Sequence, residues 1–278
     1  MNVVLAGLSA LMYGAGDFCG GLASRRQPMT VVLFFSQAGG LATAVAGVLL
    51  LGQPLPGARD IAWGIAAGVT GTAGLAMLYH ALATTRVAVA SPVAAVTGAA
   101  IPVLLGLAAG ERPGSLAWLG IALALPAIAL LAAGPSARSE AGVARRAAVL
   151  GAAAGVGFGL FFFCVSRTSH QSGLWPLASA RLMSISLVAL FSAARRASLR
   201  PLPSALPVVM ASGILDMGAN IAFLLASRVG LLSVTAVITS LYPGPTVVLA
   251  MIVFREKLTA SRAIGLALAL AGVACISA

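Results

Sequence analysis

The sequence predicts an all-α membrane protein: ten transmembrane helices arranged as two inverted five-helix repeats. Three observations carry this reading. First, the 278 residues include only 17 Lys or Arg and 6 Asp or Glu, so 8% of the chain is charged while 60% is hydrophobic. A soluble domain carries roughly 25% charged residues. So few charges cannot tile a surface facing water, which excludes a soluble globular fold, and disorder needs low hydrophobicity. Second, stretches such as 61–85, 87–110 and 229–254 hold no charge at all. Each exceeds the roughly 20 apolar residues that a helix needs to cross hydrocarbon. Third, an ordered set of residues in the first half recurs in the second.

Ten helices are expected at 2–24, 28–52, 60–84, 87–109, 114–134, 147–166, 174–194, 203–227, 229–254 and 259–277. The chain turns apolar directly after Met1-Asn2 with no basic leader, so the first run is expected to be a retained span. Turn formers separate the runs, as at Pro54-Leu55-Pro56-Gly57, Arg112-Pro113-Gly114 and Pro201-Leu202-Pro203. Membrane strands would alternate apolar and polar residues, and these runs are apolar all round. Gly151, Gly155 and Gly159 repeat at every fourth position, as do Gly16/Gly20, Gly64/Gly68 and Gly106/Gly110. Such faces let helix backbones approach closely in lipid.

The repeat is read by offset. Arg86-Val87 through Ser91 matches Arg228-Val229 through Ser233 at a separation of 142, and Thr97 then falls on Thr239. Glu111-Arg112 matches Glu256-Lys257 at 145, and Gly120 through Leu125 matches Gly265 through Leu270 at the same separation. The second copy therefore carries three extra residues near Tyr242-Pro243-Gly244. The expected division is a first repeat over 1–137, a connecting loop over 138–146 and a second repeat over 147–278. Five helices is an odd number, so the second copy enters the membrane upside down. Secondary transporters recurrently use that architecture, with the binding site near the midplane between the copies.

The net charge is +11, but the basic residues stand singly or in pairs between apolar runs, without interleaved aromatics. They read as loop charges that set orientation and meet lipid headgroups, not as a nucleic-acid surface. Cys19, Cys164 and Cys275 lie within apolar runs without CxxC spacing, so neither disulfide nor metal site is expected. The chain holds no HExxH, GxSxG or GxxxxGK[ST], so neither an enzyme, a cofactor nor nucleotide hydrolysis is expected.

The run Ser240-Leu241-Tyr242-Pro243, then Arg255-Glu256-Lys257-Leu258-Thr259 and Gly265 to Gly272, resembles the end of an EamA domain. Gly110-Glu111-Arg112-Pro113 followed by Gly120 resembles it again in the first half. The chain is thus similar to ten-helix EamA-type members of the drug/metabolite transporter superfamily. Tyr13 through Gly21 resembles one bacterial subgroup. The resemblance implies transport of amino acids, sugars, nucleotide-linked compounds, drugs or other metabolites, often by export, across a bacterial inner membrane. Where the family often has Arg early in the second and seventh helices, this chain has Gln37 and Arg181.

Three charged residues fall inside expected spans: Asp17, Arg181 and Asp216. An intramembrane charge costs at least about 2.5–3.5 kcal/mol on insertion scales and is a functional candidate by default. Asp216 and Asn220 share a helix face at i, i+4, as do Tyr13 and Asp17. Thr235, Thr239 and Tyr242 lie near one face of the ninth helix. Pro243 and Pro245 are expected to interrupt it and free carbonyls that can line a cavity. The candidate substrate or proton site is therefore Tyr13, Asp17, Arg181, Asp216, Asn220, Thr239 and Tyr242. If all three charges meet, one acid stays unpaired and takes a proton or a cationic ligand. A structural Arg181–Asp216 pair and a helix-end Asp17 are the plainer alternatives. Tyr79-His80 reads as a boundary anchor, Phe161-Phe162-Phe163 as lipid-facing packing, and Glu111 and Glu256 as helix-end charges.

Connections after odd-numbered helices carry 12 basic residues and those after even-numbered helices carry 4. The positive-inside rule then puts both termini outside, whereas the family default is inside. The expected activity is secondary active, proton-coupled export of a small organic metabolite by alternating access. An amino-acid-like zwitterion would satisfy both an Asp and an Arg. A passive facilitator or channel, and a multidrug efflux carrier, are the alternatives.

Overall fold

A computed structural model describes residues 1–84, 87–132, 141–255 and 258–277, with the side chains of 79, 82, 83, 87, 88 and 141 left aside. The described regular structure is helical throughout. The first half gives α1 (Asn2–Ser24), α2 (Met29–Leu50), α3 (Ala58–Thr84), α4 (Val87–Ala108) and α5 (Ser115–Ala132). The second gives α6 (Ala141–Ser166), a 3-10 turn at His170–Ser172, α7 (Trp175–Ala194), α8 (Leu206–Val229), α9 (Leu232–Thr239), α10 (Pro243–Phe254) and α11 (Ala260–Ser277). Ten stretches are long and apolar enough to cross a membrane, with α9 and α10 sharing one, Leu232–Phe254.

Local chemistry sets the ends. Pro28 holds the extended backbone ahead of α2. Gly52 and Gly110, at φ of 58° and 93°, take the left-handed conformation just beyond α2 and α4. Pro176 stands in the first turn of α7, where a missing N–H is harmless. One boundary differs from expectation. Of the expected connecting loop 138–146, residues 138–140 lie outside the described residues and Ala141–Arg146 is already helical. Ala-rich sequence with straight-chain Arg145 and Arg146 propagates a helix without lipid around it. Arg86, Glu256 and Lys257, used above to set the repeat offset, also lie outside the described residues.

The packing follows exchange of the two halves. α1 packs on α8 and α6 on α3; α2 packs on α8 and α7 on α3; α4 packs on α6 and α1 on α9 and α10. The equivalent helices α2 and α7 meet each other, as do α5 and α11. Their direction is read from close contacts. A side chain on Gly120 would meet Gly272 and Ile276, and one on Gly265 would meet Ala127 and Leu131. Likewise Gly40 faces Arg181 and Gly47 faces Leu174. Both pairs run antiparallel, so the two halves are inverted. The glycines explain the closeness: a Cβ on Gly155 would strike the Ala94 carbonyl, and one on Gly157 would strike Gly74.

Inversion leaves one exception to the symmetry. α4 runs unbroken despite Pro92 and Pro102, whereas its counterpart stops at Thr239 and restarts at Pro243. Pro243 and Pro245 cannot donate to the Thr239 and Leu241 carbonyls. Those carbonyls are not left open, as the sequence reading expected. They accept from the N–H groups of Tyr242 (3.2 Å) and Gly244 (2.9 Å), so the chain tightens through the break.

Candidate functional site

A cavity of about 420 Å³ lies between the halves. It reaches Ser24 at the end of α1, Met29 at the start of α2 and Leu78 late in α3. It therefore opens at the end of the molecule that carries the α1–α2, α3–α4 and α7–α8 connections. We call this the mouth. Phe158, Phe161 and Phe162 on α6 line its inner part.

One polar chain crosses the cavity wall. The Tyr13 hydroxyl donates to Asn220 Oδ1 (2.8 Å). Asn220 Nδ2 donates to the Asp216 backbone carbonyl (2.7 Å) and to Asp216 Oδ2 (3.3 Å). The Arg181 guanidinium pairs with Asp216 Oδ2 and donates its other arm to Gln37 Oε1. The chain thus runs α1, α8, α7, α2 and ties both halves together. The helices can present it because small residues bring them close. Gly16 packs on the Ser212–Asp216 turn of α8, and Gly40 packs on the Arg181 stem. Ser212 Oγ donates to the Gly16 carbonyl (2.8 Å) and Ser9 Oγ to the Ala219 carbonyl (2.8 Å), which fixes the α1–α8 register.

Asp17 stands apart from this chain. It lines the cavity, is exposed to it, and makes no hydrogen bond or ion pair among the described residues. The guanidinium, 12% exposed, is spent on Asp216 and Gln37, and Asp216 is 34% exposed. Among the described residues, the charged groups lining the cavity are therefore two carboxylates and one guanidinium, leaving one acid without a charged partner there.

Of the expected site residues, Tyr13, Asp17, Arg181, Asp216, Asn220 and Tyr242 meet at the cavity. Thr239 does not line it. Its side chain is fully buried, and the hydroxyl has no hydrogen-bond partner among the described residues. Pro243 and Pro245 begin α10, where Pro245 and the Tyr242 carbonyl abut Gly14. Phe161 and Phe162, read above as lipid-facing, belong to the cavity wall instead. Phe162 packs on Phe223 at 4.4 Å and on Tyr13 at 6.2 Å, edge to face. A triple aromatic run wraps around a helix, so its residues cannot share one fate, and Phe163 turns to Trp63. His80 is exposed and does not line the cavity, and the Tyr79 side chain lies outside the described residues.

The opposite end is closed by polar contacts between halves. Glu111, between α4 and α5, accepts from the N–H groups of Leu232 (2.6 Å) and Ser233 (2.9 Å) at the start of α9. Gly106 leaves the space that its carboxylate fills. Asp60, in the first turn of α3, accepts from the Ser169 N–H and hydroxyl, both at 2.7 Å. Gln53 Oε1 accepts from the Leu174 N–H (2.7 Å). Within the second half, Arg228, late in α8, donates to the Ser169 and Gly173 carbonyls and the Ser172 hydroxyl, which holds the turn that Asp60 meets. Glu111 was expected at a helix end, and it does cap one, although in the other half. Asp60 and Gln53 were missed. Asp60 reads as an ordinary first-turn acid, and nothing local points across 109 residues to Ser169.

Comparisons with known proteins agree with this architecture. The family described as the EamA-like transporter family matches residues 1–133 and 145–278. A solved crystal structure superposes with a TM-score of 0.80 over 98% of this chain and 95% of its own, at 20% identity. That likeness concerns the fold alone. No curated protein matches the chain in sequence.

Proposed function

The chain belongs to the EamA-like transporter family, whose members are membrane transporters rather than enzymes, and from that premise we propose that it is a proton-coupled secondary exporter of a small organic solute. The observation that carries this reading is the division of the two acids. Asp216 is held by Arg181, while Asp17 faces the cavity alone. The free acid is the one that can trade a proton for a solute during a transport cycle. The cavity size is ordinary for one small molecule. Its mouth is on the end richer in basic residues, which the positive-inside rule puts in the cytoplasm. The solute is then loaded from inside, with both termini outside.

Alternating access means that the mouth must close and the sealed end must open. The inverted halves supply the two-fold exchange for this. The amino-acid-like solute expected from sequence needs a guanidinium free to take its carboxylate, and the Arg181–Asp216 pair removes support for it.

The test uses purified protein in proteoliposomes carrying a pH gradient, bathed in a cell metabolite extract, with the contents read by mass spectrometry. Solutes should accumulate against their gradient with the wild type and not with Asp17→Asn. If no accumulation depends on the gradient, or if Asp17→Asn transports as the wild type does, the reading fails. Non-saturating, gradient-independent entry would instead favour a passive facilitator.

A further inference from the structure

We infer that the cavity binds a monovalent organic cation with an apolar, aromatic-compatible body, its ammonium on Asp17 and its body against the α6 phenylalanines. This deepens the exporter reading by naming the solute's chemical class.

Charge balance is the first argument. Among the described residues, the titratable groups that line the cavity with Asp17 are Tyr13, one turn earlier on the same helix, Arg181 and Asp216 on other helices, and Tyr242 between α9 and α10. Arg181 and Asp216 cancel, so the crevice holds one net negative charge when both acids are ionised. A monocation restores neutrality. A zwitterion places its ammonium on Asp17 and adds a carboxylate for which the described lining residues hold no free cation. An anion doubles the imbalance. Leaving such a charge without a partner inside the crevice is unfavourable.

The shape of the walls is the second argument. The polar chain occupies one side, from α1 through α8 and α7 to α2. The other side is apolar, with Phe158, Phe161 and Phe162, and Leu75 on α3. Aromatic faces are negative, so they attract a cation as well as its hydrocarbon body. Tyr13 and Tyr242, with ring centroids 6.1 Å apart, extend that surface to the level of Asp17. Gly21, one turn beyond Asp17, lines the cavity with open space where a side chain would stand, which leaves that face of α1 free beside the carboxylate.

The third argument is exchange. Binding a cation on Asp17 releases the proton that otherwise neutralises it. One cation therefore leaves for each proton that enters, and the cycle moves no net charge.

The test compares three probes that share one ring: phenethylamine (cation), phenylalanine (zwitterion) and 3-phenylpropionate (anion). Binding is measured by calorimetry on the full chain in detergent, without any gradient. Phenethylamine should bind at least tenfold more tightly than the other two and release a proton on binding. Asp17→Asn should abolish this. Asp17→Glu should restore it, which separates lost chemistry from misfolding. Tightest binding of phenylalanine or 3-phenylpropionate, failure of the cation to bind, or cation binding unchanged in Asp17→Asn would each overturn the inference. The outcomes separate from those of the exporter reading. Gradient-driven accumulation of a zwitterion would spare the exporter and sink the cation, and cation binding without coupled flux would do the reverse.

Discussion

The two ends of the molecule are built on the same plan and differ by one acid. Each has a glutamine that accepts a backbone N–H from the other half. Gln53 takes Leu174 at the sealed end, and Gln27 takes Leu202 at the mouth. The sealed end adds Asp60 on Ser169 and Glu111 on the start of α9 across the halves, and Arg228 on the turn before α7 within the second half. At the mouth, the described residues show the Arg25 guanidinium lying 4.6 Å over the Phe254 ring. The repeat supplies Glu256 and Arg86 as counterparts of Glu111 and Arg228. For Asp60 it supplies none, since the corresponding helix begins Leu206-Pro207-Val208. The lesson is that duplicated halves need not give equal gates. One acid, present in a single copy, gives the sealed end a contact that the repeat does not provide at the mouth.

The largest expected effect tests what the two ends share. Arg181→Leu strands two carboxylates in the crevice. Breaking a buried pair costs roughly 3–5 kcal/mol. Asp216 is 34% exposed to the cavity, so about 2 kcal/mol is expected. That lowers the thermal midpoint in detergent by roughly 4–8 °C. Arg181→Leu combined with Asp216→Asn should recover most of the loss, and no recovery would mean that the pair is not what holds α7 to α8.

Glu111→Ala comes next. It removes a carboxylate from two backbone N–H groups, worth about 1–2 kcal/mol. Opening of the sealed end should rise roughly tenfold, since 1.4 kcal/mol is one decade. The readout is a single cysteine at Thr235→Cys in a cysteine-free background, labelled by an impermeant maleimide. A cysteine at Ser24→Cys on the mouth rim should label rapidly with or without the Glu111 change. Equal labelling at both positions in the parent would erase the distinction between the ends. Asp60→Asn should act in the same direction and less, by about 1 kcal/mol, because Ser169 keeps a neutral acceptor.

Gln27→Ala should do least. Its Oε1 bond to Leu202 is 3.1 Å, and its buried Nε2 lacks a partner among the described residues. Removing the side chain loses one hydrogen bond and relieves one unsatisfied donor, two terms of about 1 kcal/mol with opposite sign. The thermal midpoint should move by less than about 2 °C. A larger drop would place the mouth latch on a par with the sealed end.

Much of this fold is legible in the sequence because the bilayer makes it so. Helix length, missing charge and proline position fix the spans, and offset matching exposes the duplication together with the insertion that breaks the ninth span. Asp17, Arg181 and Asp216 stand out because charge is rare in such runs. Which acid Arg181 chooses is not legible. Residues 17 and 216 both lie near mid-span, and only the packing of Gly16 on α8 and Gly40 on Arg181 decides which carboxylate meets the guanidinium. The aromatic wall is hidden for a related reason, since in lipid an apolar residue looks the same whether it faces a tail or a ligand. Thr239 shows the opposite error. It shares a helix with Tyr242, but the tightened break turns it away from the cavity.

Because almost every strong helix contact joins one half to the other, neither set of five spans is a folding unit. As the ribosome works, the leading five must wait in the bilayer with their glycine seams facing lipid until the trailing five insert. Assembly therefore depends on the last helices made, and a chain cut short in its second half would be recognised by quality control as an orphan rather than as half a carrier.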